Sequence, residues 1–157
     1  HAETVLAFAD EMAAASVLDY GCGQGRLRLA LWTLGYSGTV REYDPCIPKK
    51  AGTPKAADLV ICTDVLEHVE PEMIDEVLTD LRRLTRKGAF LSIATRPSNK
   101  TLPDGRNAHL IVERAGWWMR KIRRSAWRLH RLKLGYRKHS EELRGFQVWL
   151  TPTRSRP

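Results

Sequence analysis

One acidic residue followed by alternating glycines provides the most distinctive chemistry in this chain. Asp19 lies in a largely apolar run that predicts a short strand over residues 16–20. The residues that follow it are Gly21, Cys22, Gly23, Gln24 and Gly25. Glycines let the backbone approach a ligand closely, and a strand of an open α/β sheet would deliver Asp19 to the edge where such sheets bind ligands. The G-x-G-x-G spacing differs from the dinucleotide pattern G-x-G-x-x-G and predicts another nucleotide-cofactor loop.

Two further segments place polar side chains after predicted strands. Residues 39–45 predict a second strand that ends at Asp44, 19 residues after Gly25, before a proline stops it. A carboxylate at that position can accept hydrogen bonds from both hydroxyls of a ribose. Residues 58–69, with the sequence D-L-V-I-C-T-D-V-L-E-H-V, begin as another buried strand and end in polar residues.

These three segments, in this order, resemble the class I S-adenosylmethionine-dependent methyltransferases of the small-molecule type. The glycine segment resembles their motif I, and D-V-L-E-H-V is similar to their fourth-strand motif. The resemblance covers roughly residues 17–94. It implies a three-layer α/β/α Rossmann-like sheet that is mostly parallel with an antiparallel last strand, and S-adenosylmethionine as cofactor, with S-adenosylhomocysteine as product.

The resemblance also implies roles for individual residues. Asp19 or the backbone beside it would meet the methionine amino group, the glycine loop would make room for the methionine part, and Asp44 would hold the ribose. Cys62, Thr63 and Asp64 would line the wall beside the sulfonium. The alternative is that Asp19 caps a helix and Asp64 caps a turn.

Two histidines are candidates for a general base. His109 follows a long polar loop, residues 95–108, that is expected to overhang the strand ends, and histidine titrates near working pH. The alternative is that His109 only holds the loop closed. His68 belongs to the D-V-L-E-H-V motif, where packing beside the cofactor wall is the more frequent role.

The hydrophobic periodicity predicts the elements that position these residues. Helices are expected over residues 3–14, 24–34 and 71–86, with Gly88 following the end of the third, and another within residues 110–127. A buried strand is expected at residues 89–94, and residues 127–134 and 146–150 are candidates for a closing hairpin. Only 13 residues separate Asp44 from Asp58. The resemblance places a third strand with two helices there, so we predict a compact variant without that strand and without the usual adenine contacts.

Composition indicates one domain over the 157 residues, with a cofactor half at about 1–94 and an acceptor-side, basic part at about 95–157. Without an apolar run of about 20 residues, we expect a soluble, cytoplasmic protein. The three cysteines do not suggest a disulfide framework, and the absence of C-x-x-C or H-x-x-x-H spacing predicts no metal site.

Charge is concentrated near the C-terminus. Residues 114–157 carry 13 Lys and Arg against 2 Asp and Glu, a net +11, whereas the rest carries 13 against 16, a net −3. Such a segment attracts anionic glycans, metabolites or RNA, or is simply a solvated face.

The acceptor is predicted by elimination. The strand motif continues C-T-D-V, not the (D/N)-P-P-(Y/F) of enzymes that methylate exocyclic base amines. We therefore expect an O-directed enzyme for a small molecule or glycan, acidic ones included. The alternatives are an RNA methyltransferase that uses the basic C-terminal surface, and a catalytically silent binding module with a methyltransferase-like fold.

Overall fold

The computed structural model describes residues 1–136 and 142–153. The four α-helices are α1 (Ala2–Glu11), α2 (Arg26–Thr33), α3 (Ile74–Leu84) and α4 (Ala115–Arg124). The six strands are β1 (Ser16–Tyr20), β2 (Thr39–Tyr43), β3 (Ala57–Thr63), β4 (Thr85–Ala94), β5 (Trp127–Tyr136) and β6 (Leu143–Pro152). Two short 3₁₀ helices, Leu66–His68 and Pro71–Met73, lie between β3 and α3.

The strands form one sheet in the order β2-β1-β3-β4-β6-β5. The pairs β1–β2, β1–β3 and β3–β4 are parallel, whereas β6 is antiparallel to both β4 and β5. The chain order reverses between β1 and β3, and in open sheets that switch point is where a crevice forms for a ligand. The predicted sheet, mostly parallel with an antiparallel last strand, is confirmed.

Helices cover both faces of the sheet, because neighbouring strand residues point to opposite sides. Val17 packs with Phe8 and Leu31 in the core beneath α1 and α2. Leu18 packs with Leu78 and Trp118 in the core beneath α3 and α4. This arrangement is the predicted three-layer α/β/α architecture.

The connection from β2 to β3 is as short as the sequence indicated. Residues 44–56 contain no helix or strand, so β2 lies at the edge of the sheet and, as predicted, this segment lacks the strand that the resemblance places there. The predicted closing hairpin is also present, although both of its strands are longer than predicted.

The predicted end of the third helix is wrong. The helix ends at Leu84, and the backbone is already extended at Thr85, the first residue of β4. Gly88 lies inside that strand, where a Cβ atom would come within 2.8 Å of the Phe8 ring. The glycine therefore serves close packing of α1 on the sheet and does not end a helix.

No helix in the described residues has the length and apolarity needed to span a membrane.

Candidate active site

The glycine loop connects β1 to α2 at the switch point of the sheet. The backbone N–H groups of Gly21 and Cys22 donate to the carbonyl of Tyr43, at 2.8 and 3.1 Å, which fixes the loop to the end of β2. Gly21 has a φ of 77°, and a Cβ atom there would collide with the side chain of Val65. A residue other than glycine would be both strained and obstructed at this position.

Three carboxylates surround the start of the loop. Asp19 is only 4% exposed at the end of β1, and Glu42 and Asp44 lie close enough to oppose its ionisation. Burial, followed by the charge of Glu42, raises the pKa of Asp19 from 3.8 to about 7, while Lys50 partly offsets this. No side chain among the described residues donates a hydrogen bond to the Asp19 carboxylate. A cationic ligand would relieve this concentration of negative charge.

Asp44 and Lys50 brace the glycine loop from the β2 side. The Asp44 carboxylate accepts hydrogen bonds from the backbone N–H of Gly23 and of Cys46, each at 2.9 Å. The Lys50 ammonium donates to the carbonyl of Gly23 at 2.9 Å and pairs with Glu42 at 3.4 Å. Asp44 thus has a structural role here, and the predicted ribose contact stays a prediction.

The three residues predicted to line the sulfonium wall differ in exposure. Cys62 is fully buried in the core beneath α3, and that burial raises the pKa of its thiol. Its side chain packs within the core, and its predicted place in the wall stays a prediction. Thr63 is half-buried, whereas Asp64 is exposed with a φ of 56°, unusual for a residue other than glycine. Strained residues of this kind cluster at functional sites.

The two candidate histidines lie next to each other. Their ring centroids are 4.9 Å apart in an edge-to-face arrangement. Nδ1 of His68 lies 2.6 Å from the carbonyl of Ala108, and Nδ1 of His109 lies 2.6 Å from the carbonyl of Arg96. Because a carbonyl oxygen only accepts, both rings carry a proton on Nδ1 and present Nε2 to their surroundings. His68 and His109 were separate candidates in the sequence, whereas in the structure they are in contact.

Sequence reasoning gave no functional role to Glu67, the glutamate of the D-V-L-E-H-V motif. Glu67 is 1% exposed, and its Oε1 accepts a hydrogen bond from the backbone N–H of Ala94 at 3.0 Å. Its Oε2 is buried with no hydrogen-bond partner among the described residues. Burial raises the pKa of this carboxyl. The signal was available, since a glutamate between an apolar run and a histidine needs a reason to be there.

The long polar loop is held in one conformation by its own side chains. Asn107 accepts hydrogen bonds from the backbone N–H of Ser98 and of His109 and donates to the Ser98 carbonyl, each at 2.9 Å. Arg106 makes a two-pronged contact with Glu70, both bonds at 2.9 Å. The expectation that His109 lies where this loop meets the site is consistent with these contacts, although its catalytic role stays a prediction.

A cavity of about 400 Å³ opens beside the ends of β3 and β4. Its lining includes Asp64 and three cationic side chains, Arg96, Lys133 and Arg144. Within the described residues none of these three cations pairs with a carboxylate, and Nε of Arg144 is buried without a hydrogen-bond partner. Residues 137–141 and 154–157 of the basic C-terminal segment lie outside the described residues.

The fold is similar to that of several solved methyltransferases. Magnesium protoporphyrin IX methyltransferase from Synechocystis PCC 6803, solved with bound SAH, is 17% identical with a TM-score of 0.69, covering 97% of this chain and 82% of its own. The 1,6-didemethyltoxoflavin-N1-methyltransferase of Burkholderia thailandensis, solved with its substrate and S-adenosylhomocysteine, is 16% identical with a TM-score of 0.72, covering 98% and 77%. The methyltransferase domain of bacterial CtHen1-C is 16% identical with a TM-score of 0.71, covering 98% and 97%.

Sequence comparison gives two results. No curated protein sequence matches this chain significantly. The profile of a family described as a methyltransferase domain matches residues 2–141, which is most of the chain and includes the glycine loop, Asp44 and both candidate histidines. This protein therefore belongs to the methyltransferase domain family, on the Rossmann-like fold of the class I enzymes.

Proposed function

We propose that this protein transfers the methyl group of S-adenosylmethionine to an oxygen atom of a small, negatively charged acceptor. The observation that carries the acceptor half of the proposal is the cavity beside Asp64, whose lining includes three cations that pair with no carboxylate within the described part of the chain. Family membership supports the methyltransferase half, and neighbours of the same fold were solved with SAM or S-adenosylhomocysteine bound.

The acidic end of β1 suits the charges of this donor. S-adenosylmethionine carries an ammonium and a sulfonium, both positive, and Asp19 is a buried carboxylate with no protein donor among the described residues. An ammonium placed beside Asp19 would favour its ionised form and offset the repulsion from Glu42. The loop containing Gly21, Gly23 and Gly25 would hold the methionine part by close backbone approach.

The remaining predicted contacts follow from the same placement. Asp44 would hold the ribose with the acceptor capacity left beyond its two backbone hydrogen bonds. Thr63 and Asp64 would face the sulfonium, between the donor and the cavity. Asp64 lines that cavity and follows β3, the strand paired with β1, so donor and acceptor sites would share it.

The cavity suits an anionic acceptor in size and charge. A volume of about 400 Å³ lies within the range of about 300–1,000 Å³ typical of small-molecule sites. Arg96, Lys133 and Arg144 would bind a carboxylate or phosphate group, since guanidinium and ammonium groups donate charge-assisted hydrogen bonds to such oxygen anions. Acidic saccharides and hydroxy acids with a free hydroxyl are the acceptor class that fits.

The reaction needs alignment and the removal of one proton. The acceptor oxygen displaces the sulfur in line, so that the S–CH₃ bond breaks as the O–CH₃ bond forms and S-adenosylhomocysteine leaves. The hydroxyl proton must leave as well. His109 would accept this proton on Nε2, because its Nδ1 lies 2.6 Å from the carbonyl of Arg96, a residue that lines the cavity, and His68 packs edge-to-face against its ring.

A screen with labelled methyl donor tests this proposal. The purified protein would be offered sugar phosphates, uronic acids, aromatic hydroxy acids and their neutral analogues. We expect methyl ethers or esters of the anionic members only. Arg144→Gln should raise KM for such an acceptor about 10–100-fold, by loss of a charge-assisted contact, while donor affinity stays unchanged.

Arg128→Gln is the matched control. Arg128 is exposed on β5, as Lys133 is, but lies outside the cavity lining. If Arg144→Gln and Arg128→Gln changed KM equally, or if the enzyme preferred neutral acceptors, the acceptor half of the proposal would be overturned.

A further inference from the structure

A buried carboxylate and two histidines converge beside the acceptor cavity. Glu67, His68 and His109 each offer one ligand atom, and these atoms lie within 4.8 Å of one another. Two residues are adjacent in sequence, and the third arrives from the far end of the polar loop. Spacing rules that search for local ligand pairs cannot detect such a group, which explains why the sequence predicted no metal site.

Both histidines are held as metal-binding histidines are held. The backbone carbonyls of Ala108 and Arg96 each receive the Nδ1 proton of one ring at 2.6 Å. In metal-binding histidines, a hydrogen bond from Nδ1–H to a carbonyl fixes the tautomer and the orientation of the ring. The lone pair of Nε2 is then free to bind the metal. To bind a metal, each ring must carry no proton on Nε2. The hydrogen bond from Nδ1 to a carbonyl is compatible with that tautomer.

Glu67 has one oxygen satisfied and one available. Its Oε1 is held by the N–H of Ala94, whereas its Oε2 is buried without a hydrogen-bond partner among the described residues. A buried unpartnered carboxylate oxygen is costly, and a cation is the partner that would compensate for it best. The carboxylate and the two imidazoles therefore each have one fixed atom and one free atom.

The distances and the types of donor atom indicate which metal ions fit this group. Two atoms bound to one such ion are at most about 4.3 Å apart, since metal–nitrogen and metal–oxygen bonds measure about 2.0–2.2 Å. A separation of up to 4.8 Å thus closes with small side-chain rotations. Two imidazoles and one carboxylate suit divalent zinc, iron, cobalt or manganese, with positions left for other ligands.

We propose that Glu67, His68 and His109 bind one divalent transition-metal cation, whose open positions take the hydroxyl oxygen of the acceptor. The second half rests on the proposed function. A hydroxyl bound to such an ion loses its proton to water more readily, and the resulting oxyanion attacks the methyl group. In this form the histidines act as ligands, and no histidine needs to act as the base.

Direct metal titration tests the site without donor or acceptor present. Protein stripped with a chelator would be titrated with Co²⁺ and with Zn²⁺ by calorimetry, and the Co²⁺ complex followed by its visible absorption. We expect one ion per chain. Glu67→Gln, His68→Gln and His109→Asn should each weaken binding by about 10–100-fold and change the absorption bands.

His130→Asn is the matched control, because His130 lies on β5, is paired with Glu11 and is not part of the group. It should leave binding unchanged. Thermal unfolding of every variant shows that it is folded, and Zn²⁺ should raise the unfolding temperature of the wild type and of His130→Asn more than that of the three ligand variants.

Absence of saturable binding at millimolar metal, or binding that persists in the His68→Gln/His109→Asn double variant, would overturn the site. Full methylation by the stripped protein would overturn the catalytic half alone. Donor affinity, measured separately on the stripped protein, distinguishes either failure from failure of the proposed methyl transfer.

Discussion

Asp19 is buried near Glu42 and Asp44, and this arrangement costs stability while no ligand is bound. With the pKa of Asp19 raised from 3.8 to about 7, the folded protein holds a proton that the unfolded chain releases between those pH values. The free energy of unfolding therefore falls as pH rises from about 4 to about 7 and then levels off. Strongly shifted pKa values of this kind cluster at functional sites.

Asp19→Asn should separate stability from function. The neutral amide keeps the shape and removes the buried charge, so we expect the free energy of unfolding at pH 8 to rise by on the order of 2 kcal/mol, with little change at pH 4. Urea unfolding at the two pH values measures this. Asp10→Asn, on exposed α1 surface, is the control. A loss of stability at pH 8 would contradict the predicted direction.

Gly21 should tolerate substitution less well than other glycines with positive φ. Gly21→Ala adds a collision with Val65 to the backbone strain, whereas Gly35→Ala, at a φ of 90° with nothing within 4 Å, adds the strain alone. We expect Gly35→Ala to cost about 1–2 kcal/mol and Gly21→Ala to cost more. Equal costs by thermal unfolding would mean that the loop can move away from Val65.

At the scale of elements, the loop between β4 and α4 positions His109 through one side chain. Asn107→Ala removes three hydrogen bonds, and we expect faster amide exchange over residues 95–108 and a loss of stability of about 1–3 kcal/mol. Methyl transfer should fall while donor affinity holds. Asn99→Ala, at an exposed position of the same loop that forms no hydrogen bond with the described residues, should do none of this. Identical exchange in both variants would disprove the positioning role.

The elements that the sequence predicts well are those whose signals are local. Residues 16–20 form a strand with the predicted bounds because an apolar run stops at a glycine loop. The shortened connection after Asp44 follows from comparing its 13 residues with the strand and two helices that the family resemblance places there. The boundary at Thr85 was missed because Gly88 resembles a helix stop, while its real constraint, contact with Phe8, is tertiary.

In the candidate site, too, the residues that could be predicted are those with a local sequence signal. The acid and glycines of the cofactor loop are contiguous and readable, whereas the cavity cations come from a loop and two strands. Glu67 and His109 meet only because the polar loop folds back through Asn107 and Arg106. Contacts of that range depend on topology, which the sequence pattern does not encode residue by residue.

For the molecule as a whole, opposite charges face the two predicted substrates. The donor side carries Asp19, Glu42 and Asp44, and the acceptor cavity carries Arg96, Lys133 and Arg144. The excess of basic residues after position 114 would attract RNA without specificity. We therefore expect weak RNA binding that falls steeply between 50 and 200 mM salt, with no methyl transfer to RNA.

A methyl-transfer assay with labelled donor, run in parallel on RNA and on small anionic acceptors, tests this expectation. Methylated RNA that survives at 200 mM salt would contradict the small-molecule assignment and support the RNA alternative. Absence of transfer to RNA, with transfer to a small anion, is the predicted result.

The central claim is that the glycine loop and Asp19 bind S-adenosylmethionine, and calorimetric titration of wild type and Asp19→Asn tests it most directly. We expect one molecule per chain, with proton release near pH 7 because the bound cation favours ionised Asp19. Asp19→Asn should bind about 10–100-fold more weakly and release no such proton. A folded wild-type protein that does not bind the donor, or a variant that binds it equally well, would contradict the account.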